Sequence, residues 1–250
     1  MKPIVEVCTG SYQDCLAADR GGAERVELNC GLSVGGLTPG ISVLRRVKAE
    51  TGLKVIAMVR PRAGGFCYDA DDVSVMMDDA RLLMENGADG LAFGFLNSDG
   101  TFNATLMKEM ADLIHSYHGE AVCHRAFDVS EDAFKAMEIL IECDIDRVLT
   151  SGLEAKAIEG KAMLAELQQQ FGDRIELLAG SGVNLDNAEA LIKETGITQI
   201  HSSCKSYRTD PTTEMNHVSY AYLSGEHRCD YDVVDEEIVR KLVALAEASV

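Results

Sequence analysis

Short runs of β-branched and aliphatic residues recur along the chain, each followed by a longer stretch in which apolar positions return every three or four residues. The runs at 4–8, 25–29, 54–59, 90–93, 120–124, 147–149, 175–179 and 199–201 read as strands. Helical patterns follow them, for example at 41–51, 71–86 and 130–143. The unit returns about every 30 residues, which the length allows roughly eight times. The pattern predicts one α/β domain over residues 1–250, a (β/α)8 TIM barrel with a long loop before the helix at 236–249 that closes the ring.

Alternation within the first two strands assigns their faces. Val5 and Val7 point to the helices and leave Ile4, Glu6 and Cys8 for the barrel interior, while Val26 and Leu28 point out and Glu27 and Asn29 point in. Two glutamates on adjacent strands therefore share one poorly solvated interior. Such carboxylates take up a proton or find a cation, and Arg60, at the end of the third strand, or Arg125 can supply one. An acid and base couple and a structural ion pair are both consistent with this placement.

Chemistry collects after the strands. The third runs into Arg60-Pro-Arg62-Ala-Gly-Gly-Phe-Cys67-Tyr, two cations before a glycine pair, and a glycine-rich stretch at 30–40 forms a second loop able to fold over the mouth. The fifth leads into His124, Arg125 and Asp128, where barrel enzymes place reactive groups. The last three strands end in Thr150-Ser151-Gly152, Gly180-Ser181-Gly182 and His201-Ser202-Ser203, small residues with free backbone N–H groups suited to an anion. Glu6, Glu27, Arg60, His124, Arg125, Asp128 and His201 are the candidates for catalysis. Arg62, Ser151, Gly152, Gly180, Ser181, Gly182 and Ser202 are those for holding a phosphate or carboxylate.

A formal net charge of −18 argues against nucleic acid or an anionic membrane as partner. No apolar run approaches a membrane span, and Met1-Lys2-Pro3 leads directly into the first strand without a signal peptide. The eight cysteines include no Cys-x-x-Cys pair, which suits free thiols in a reducing, cytosolic setting. Cys8, Cys30 and Cys67 fall at the mouth, where soft thiolates would select Cu(I). The segment 205–235 is long, polar and rich in tyrosine, and reads as a cover or as an arm for a homodimer or higher homo-oligomer.

Arg25-Val-Glu-Leu28, Gly35-Gly-Leu-Thr-Pro39, Arg60-Pro-Arg62 with Phe66-Cys-Tyr68, His124-Arg-Ala-Phe-Asp128, Arg147-Val-Leu-Thr-Ser-Gly152 and His201-Ser-Ser203 together resemble the CutC family, in order and over most of the chain. The resemblance implies a (β/α)8 barrel in the cytosol, a part in copper homeostasis, and Cu(I) bound through mouth cysteines, here Cys30 and Cys67 with Cys8. Members usually carry Cys directly after the Glu-Leu of the second strand, where this chain has Asn29 followed by Cys30. The charged mouth and its anion-ready loops also fit a barrel enzyme acting on a small phosphorylated or carboxylated metabolite. The ligand expected from the sequence is thus a copper ion or a small anion.

Overall fold

Eight parallel strands close on themselves in chain order in the computed structural model, which describes residues 3–249. They are β1 (Ile4–Thr9), β2 (Arg25–Leu28), β3 (Lys54–Met58), β4 (Gly90–Phe93), β5 (Glu120–Cys123), β6 (Arg147–Thr150), β7 (Glu176–Ala179) and β8 (Gln199–Ser202). The intervening helices are α1 (Tyr12–Arg20), α2 (Ile41–Glu50), α3 (Ala70–Glu85), α4 (Ala104–Ser116), α5 (Ala133–Glu142), α6 (Lys161–Phe171) and α7 (Ala188–Thr195). The last, α8 (Glu236–Ala248), packs against β1, α1 and α7 and completes a (β/α)8 barrel.

Short polar side chains start the helices by accepting otherwise unpaired N–H groups: Ser11 from Asp14, Asp69 from Asp72, Asn103 from Leu106, and Asp235 from Glu237 and Ile238. The pattern at 130–143 predicts one helix, and α5 lies within it but begins only after Asp132, whose carboxylate accepts from Phe134 and Lys135; a 3-10 turn at Arg125–Val129 precedes it. A side chain that caps N–H groups two and three residues ahead fixes the helix start at itself, so the residues before it leave the pattern.

The strand faces divide two cores. Val5, Val7, Val26 and Leu28 lie buried in the layer between strands and helices. Inside the barrel, Ile56, Met58, Ala92 and Val122 form a separate apolar cluster from β3, β4 and β5. The rest of the interior is ionic: Glu6, Arg25, Glu27, Arg147 and His201 are all buried. Parallel register sets Glu6 beside Arg25 on one side and His201 on the other, and Cys8 beside Glu27.

At the N-terminal ends of the strands, Arg147 bridges Glu176 (2.9 Å) and Glu120 (2.7 Å). These ion pairs line an open cleft of about 740 Å³ and tie three strands together, the structural role expected of that face of a barrel.

The segment after β8 folds back on the barrel. Strand β9 (Lys205–Thr209) pairs antiparallel with β12 (Asp230–Val234), and β10 (Glu214–Met215) pairs with β11 (Val218–Ser219) between them. Asp14 in α1 accepts the Val234 N–H (2.9 Å), and Lys205 meets Asp232 (3.2 Å) beside the barrel mouth.

An added Cβ at Gly90 would stand 2.4 Å from the Glu120 carbonyl oxygen and 2.9 Å from Ile56 Cδ1, whereas one at Gly52 would meet nothing within 4 Å. Gly90→Ala should therefore lose about 1–3 kcal/mol in urea unfolding, and Gly52→Ala should be neutral or slightly stabilising.

Candidate functional site

The mouth at the C-terminal ends of the strands holds a cavity of about 370 Å³ lined by Cys8, Glu27, Arg60, His124, His201 and Lys205, among others. Its floor is a chain of buried charges. Arg25 Nε donates to Glu6 Oε2 (2.5 Å) and Arg25 Nη2 to Gln199 Oε1 (2.7 Å), while Glu6 Oε1 meets His201 Nδ1 (2.8 Å). This fixes the imidazole and turns Nε2 toward Glu27 Oε2, 4.0 Å away. The cation that pairs with the buried Glu6 is therefore Arg25, its register partner on β2, and not Arg60 or Arg125.

Electrostatics follows from this chain. Burial alone would raise the Glu6 pKa, but the Arg25 charge and the His201 hydrogen bond overcome it and bring it down to about 2. Burial presses His201 toward the neutral form, yet the neighbouring Cys8 and Glu6 and the charge of Glu27 hold its pKa well above the ordinary value. Glu27 has no arginine of its own, and burial pushes its carboxyl upward. The Cys8 thiol is pushed up by burial as well. Asn29 Nδ2 donates to Glu27 Oε2 (2.9 Å) and approaches Cys8 Sγ (3.7 Å).

Cys8, Glu27 and His201 form the one group of His, Cys, Asp and Glu side chains, among the described residues, close enough to share a metal ion: their ligating atoms lie within 4.8 Å of one another. A thiol and an imidazole suit Cu(I), and the Glu6 carboxylate behind His201 is the support that ligating histidines commonly have. Cys30 and Cys67 lie outside this group. Cys30 Sγ is engaged with the Thr38 carbonyl oxygen (3.1 Å), and Cys67 is exposed in the loop after β3.

Arg60 holds the two loops over the mouth together. Its Nη1 donates to the carbonyl oxygens of Val34 (2.9 Å) and Gly36 (2.8 Å), and its Nη2 to that of Gly64 (2.6 Å). Its guanidinium carbon stands 5.3 Å from the centre of the Phe66 ring, which lies 4.7 Å from that of His124. His124 Nδ1 accepts the Ala126 N–H (3.2 Å), so the imidazole proton resides on Nε2. Burial and the Arg60 charge lower its pKa to about 3 and keep it neutral. Arg60 Nε and His124 Nε2 are both buried without a hydrogen-bond partner, a cost of about 1–3 kcal/mol for each such group.

Several groups expected to receive an anion already have partners within the protein. Asp128 accepts from Thr150 Oγ1 (2.6 Å), the Ser151 N–H (3.0 Å) and Arg125 Nε (2.7 Å), so the loop after β6 is filled by the chain's own carboxylate. The Gly152 N–H turns to Thr150 Oγ1 (2.9 Å), and Arg62 pairs with Asp72 (2.7 Å) on the surface. Ser202 Oγ donates to the Val183 carbonyl oxygen (2.6 Å), and Gly180 packs beneath Leu149 and His201. Ser181 and Gly182 do line the cavity, with Ser203 and Lys205 beside them. Arg25 and Lys205 are the charges that sequence reasoning missed. Arg25 shares the inward parity of Glu27 and Asn29, a signal that was present, whereas Lys205 opens a segment whose fold the periodicity did not reveal.

The fold and site define a TIM-barrel protein with a small, charge-lined cavity over a buried Arg–Glu–His chain. The chain belongs to the CutC family, whose sequence model matches residues 3–206. It is 45% identical to a family protein CutC of Treponema denticola over 86% of this chain and 87% of that one. It is 36% identical to the human copper homeostasis protein cutC homolog over 98% of this chain and 89% of that one. The structure of a copper homeostasis protein CutC from Streptococcus agalactiae superposes with a TM-score of 0.76 at 29% identity, covering 80% of this chain and 98% of that one.

The Glu6 shift sets an acid limb of stability. A carboxyl whose pKa falls from 4.5 unfolded to about 2 folded contributes stability above the unfolded value and loses it as pH drops toward the folded one. Glu6→Gln should remove that limb between these pH values. At neutral pH it should cost about 3–5 kcal/mol by leaving Arg25 buried without its anion, as measured by chemical unfolding across a pH series.

Proposed function

We propose that this chain serves copper homeostasis, as the names of its relatives state of them, by binding Cu(I) as cargo at the barrel mouth with Cys8 as the anchoring thiol. The observation that carries the reading is the convergence of Cys8, Glu27 and His201 within 4.8 Å, with Glu6 fixing the histidine from behind. Cys30 and Cys67 are then thiols of the flanking loops that pass the ion inward. Eight free cysteines support a reducing, cytosolic setting. Among the described residues, no helix is long and apolar enough to cross a membrane. The exposed Met215, Val218 and Tyr220 of the arm support assembly into a homodimer or higher oligomer.

Competition of the reduced protein against a Cu(I) chelator tests the seat. Cys8→Ser should lose most of the affinity, whereas the Cys30→Ser, Cys67→Ser double variant should keep it; the reverse result would move the seat to the loops. Because Cys8 and His201 are protonated at neutral pH, Cu(I) displaces protons, and its apparent affinity should rise by about tenfold per pH unit for each proton released.

A second reading, binding of a small anionic metabolite for an enzymatic reaction, is favoured by the charge of the cavity. Arg60, Arg125 and Lys205 line it against Glu27 and Asp232, in a chain with 41 acidic and 23 basic residues. A copper ion needs neither this volume nor N–H donors. Thermal-shift measurements with small carboxylates and phosphates should show stabilisation of the wild type that Lys205→Ala weakens. A panel without effect on the wild type would remove this reading and leave the first.

A further inference from the structure

The anion reading names a charge but not the group that would be recognised; the wall formed by β3 and β5 supplies that information. Arg60 spends its two terminal nitrogens on three backbone carbonyls and keeps Nε–H without an acceptor. His124 spends Nδ1 on the Ala126 N–H and keeps Nε2–H without an acceptor. Both residues are at least nine-tenths buried and line the cavity, their two unpartnered nitrogens lie buried behind its surface, and Phe66 lies against both side chains. Two single N–H donors, one from a neutral ring and one from a guanidinium edge, suit one sp² oxygen with two in-plane lone pairs. Across the cavity, Lys205, Gly182 and Ser203 offer a cation and a glycine turn. Met58 and Leu149 between the two ends leave room for a short carbon skeleton.

Resting on the anion reading, we propose that the cavity binds a small oxo acid, its carbonyl oxygen received by His124 Nε2–H and Arg60 Nε–H beneath Phe66 and its carboxylate or phosphate directed to Lys205 and the turn at 180–182. A neutral histidine suits this task because it polarises a carbonyl without first having to lose a proton. The loop carrying Phe66 contains Gly64 and Gly65, exposed beside the mouth, and binding requires that ring to turn aside as the oxygen enters.

Calorimetric titration of the reduced, metal-free full chain with pyruvate and 2-oxoglutarate, against propionate and glutarate as the same acids without the carbonyl, tests the assignment. The oxo acids should bind at least tenfold more tightly than their matched analogues. His124→Asn, which can still accept the Ala126 N–H but has no donor at the ε position, should lose that preference, and His124→Gln should restore part of it. In ¹⁵N spectra the His124 Nε2–H resonance should move on addition of 2-oxoglutarate and not of glutarate. Equal affinity for both series, or a preference that survives in His124→Asn, would overturn the carbonyl assignment while leaving an anion site. Failure of every acid to bind, together with glycerol 3-phosphate and dihydroxyacetone phosphate, would overturn the anion reading with it.

Discussion

The structure depends on one buried contact, the carboxylate of Glu6 held between Arg25 and His201. Three strands meet there in register, and each contributes a group that is costly to bury alone. Arg25 neutralises Glu6, and Glu6 in turn supports a charged His201, so removing any member leaves another without its counter-charge. This is why the interior of the barrel is divided. β3, β4 and β5 fill their share with Ile56, Met58, Ala92 and Val122, while the opposite side is filled by ions whose geometry admits few alternatives. An apolar filling would close the ring as well, but it would not present Nε2 of a fixed imidazole and the Glu27 carboxyl to the mouth.

The loops above that floor satisfy one another, and this narrows what remains for a ligand. Arg60 is bound by carbonyls from both flanking loops, so its charge serves first as a clasp. Asp128 does the same for the loop after β6, taking the N–H and hydroxyl groups that a bound anion would otherwise use. A cluster of small residues after a barrel strand is therefore not by itself an anion site, because a carboxylate from the preceding strand's loop can fill it. After these internal contacts are made, two sets of groups remain beside the cavity: the buried, unpartnered donors of Arg60 and His124 on one wall, and Cys8, Glu27 and His201 with the Lys205 rim on the other.

The barrel was legible because its signals are local and repeated. Alternation placed Val5, Val7, Val26 and Leu28 against the helices and Glu6 and Glu27 inside, as found. The same alternation puts Arg25 inside, but an arginine at a strand start is easily taken for surface, which points to Arg60 or Arg125 instead as the partner of Glu6. Register between strands decides such pairings, and a single strand's pattern does not carry it. The start of α5 was misplaced because Asp132, and not Ser130, supplies the cap. Lys205 was hidden for a different reason: the β9 and β12 ribbon is held by pairing across more than twenty residues, with exposed side chains that leave little periodicity.

Asn29 connects the two readings of the site. The family resemblance leads one to expect a cysteine there, and in this chain an amide occupies the inward position beside Cys8 and Glu27. A thiolate at that place would add a soft ligand and a negative charge next to Glu27. The amide instead donates to Glu27 Oε2, satisfying one carboxylate oxygen without charge, and it leaves Cys8 as the sole thiol of the cluster. The Cys30 thiol does not replace the lost one, because it is engaged with the Thr38 carbonyl in the loop. Cu(I) held here would rest on one sulfur and one imidazole, both of which must release protons to receive it. On the proposed reading, such a site would bind and release the ion with pH.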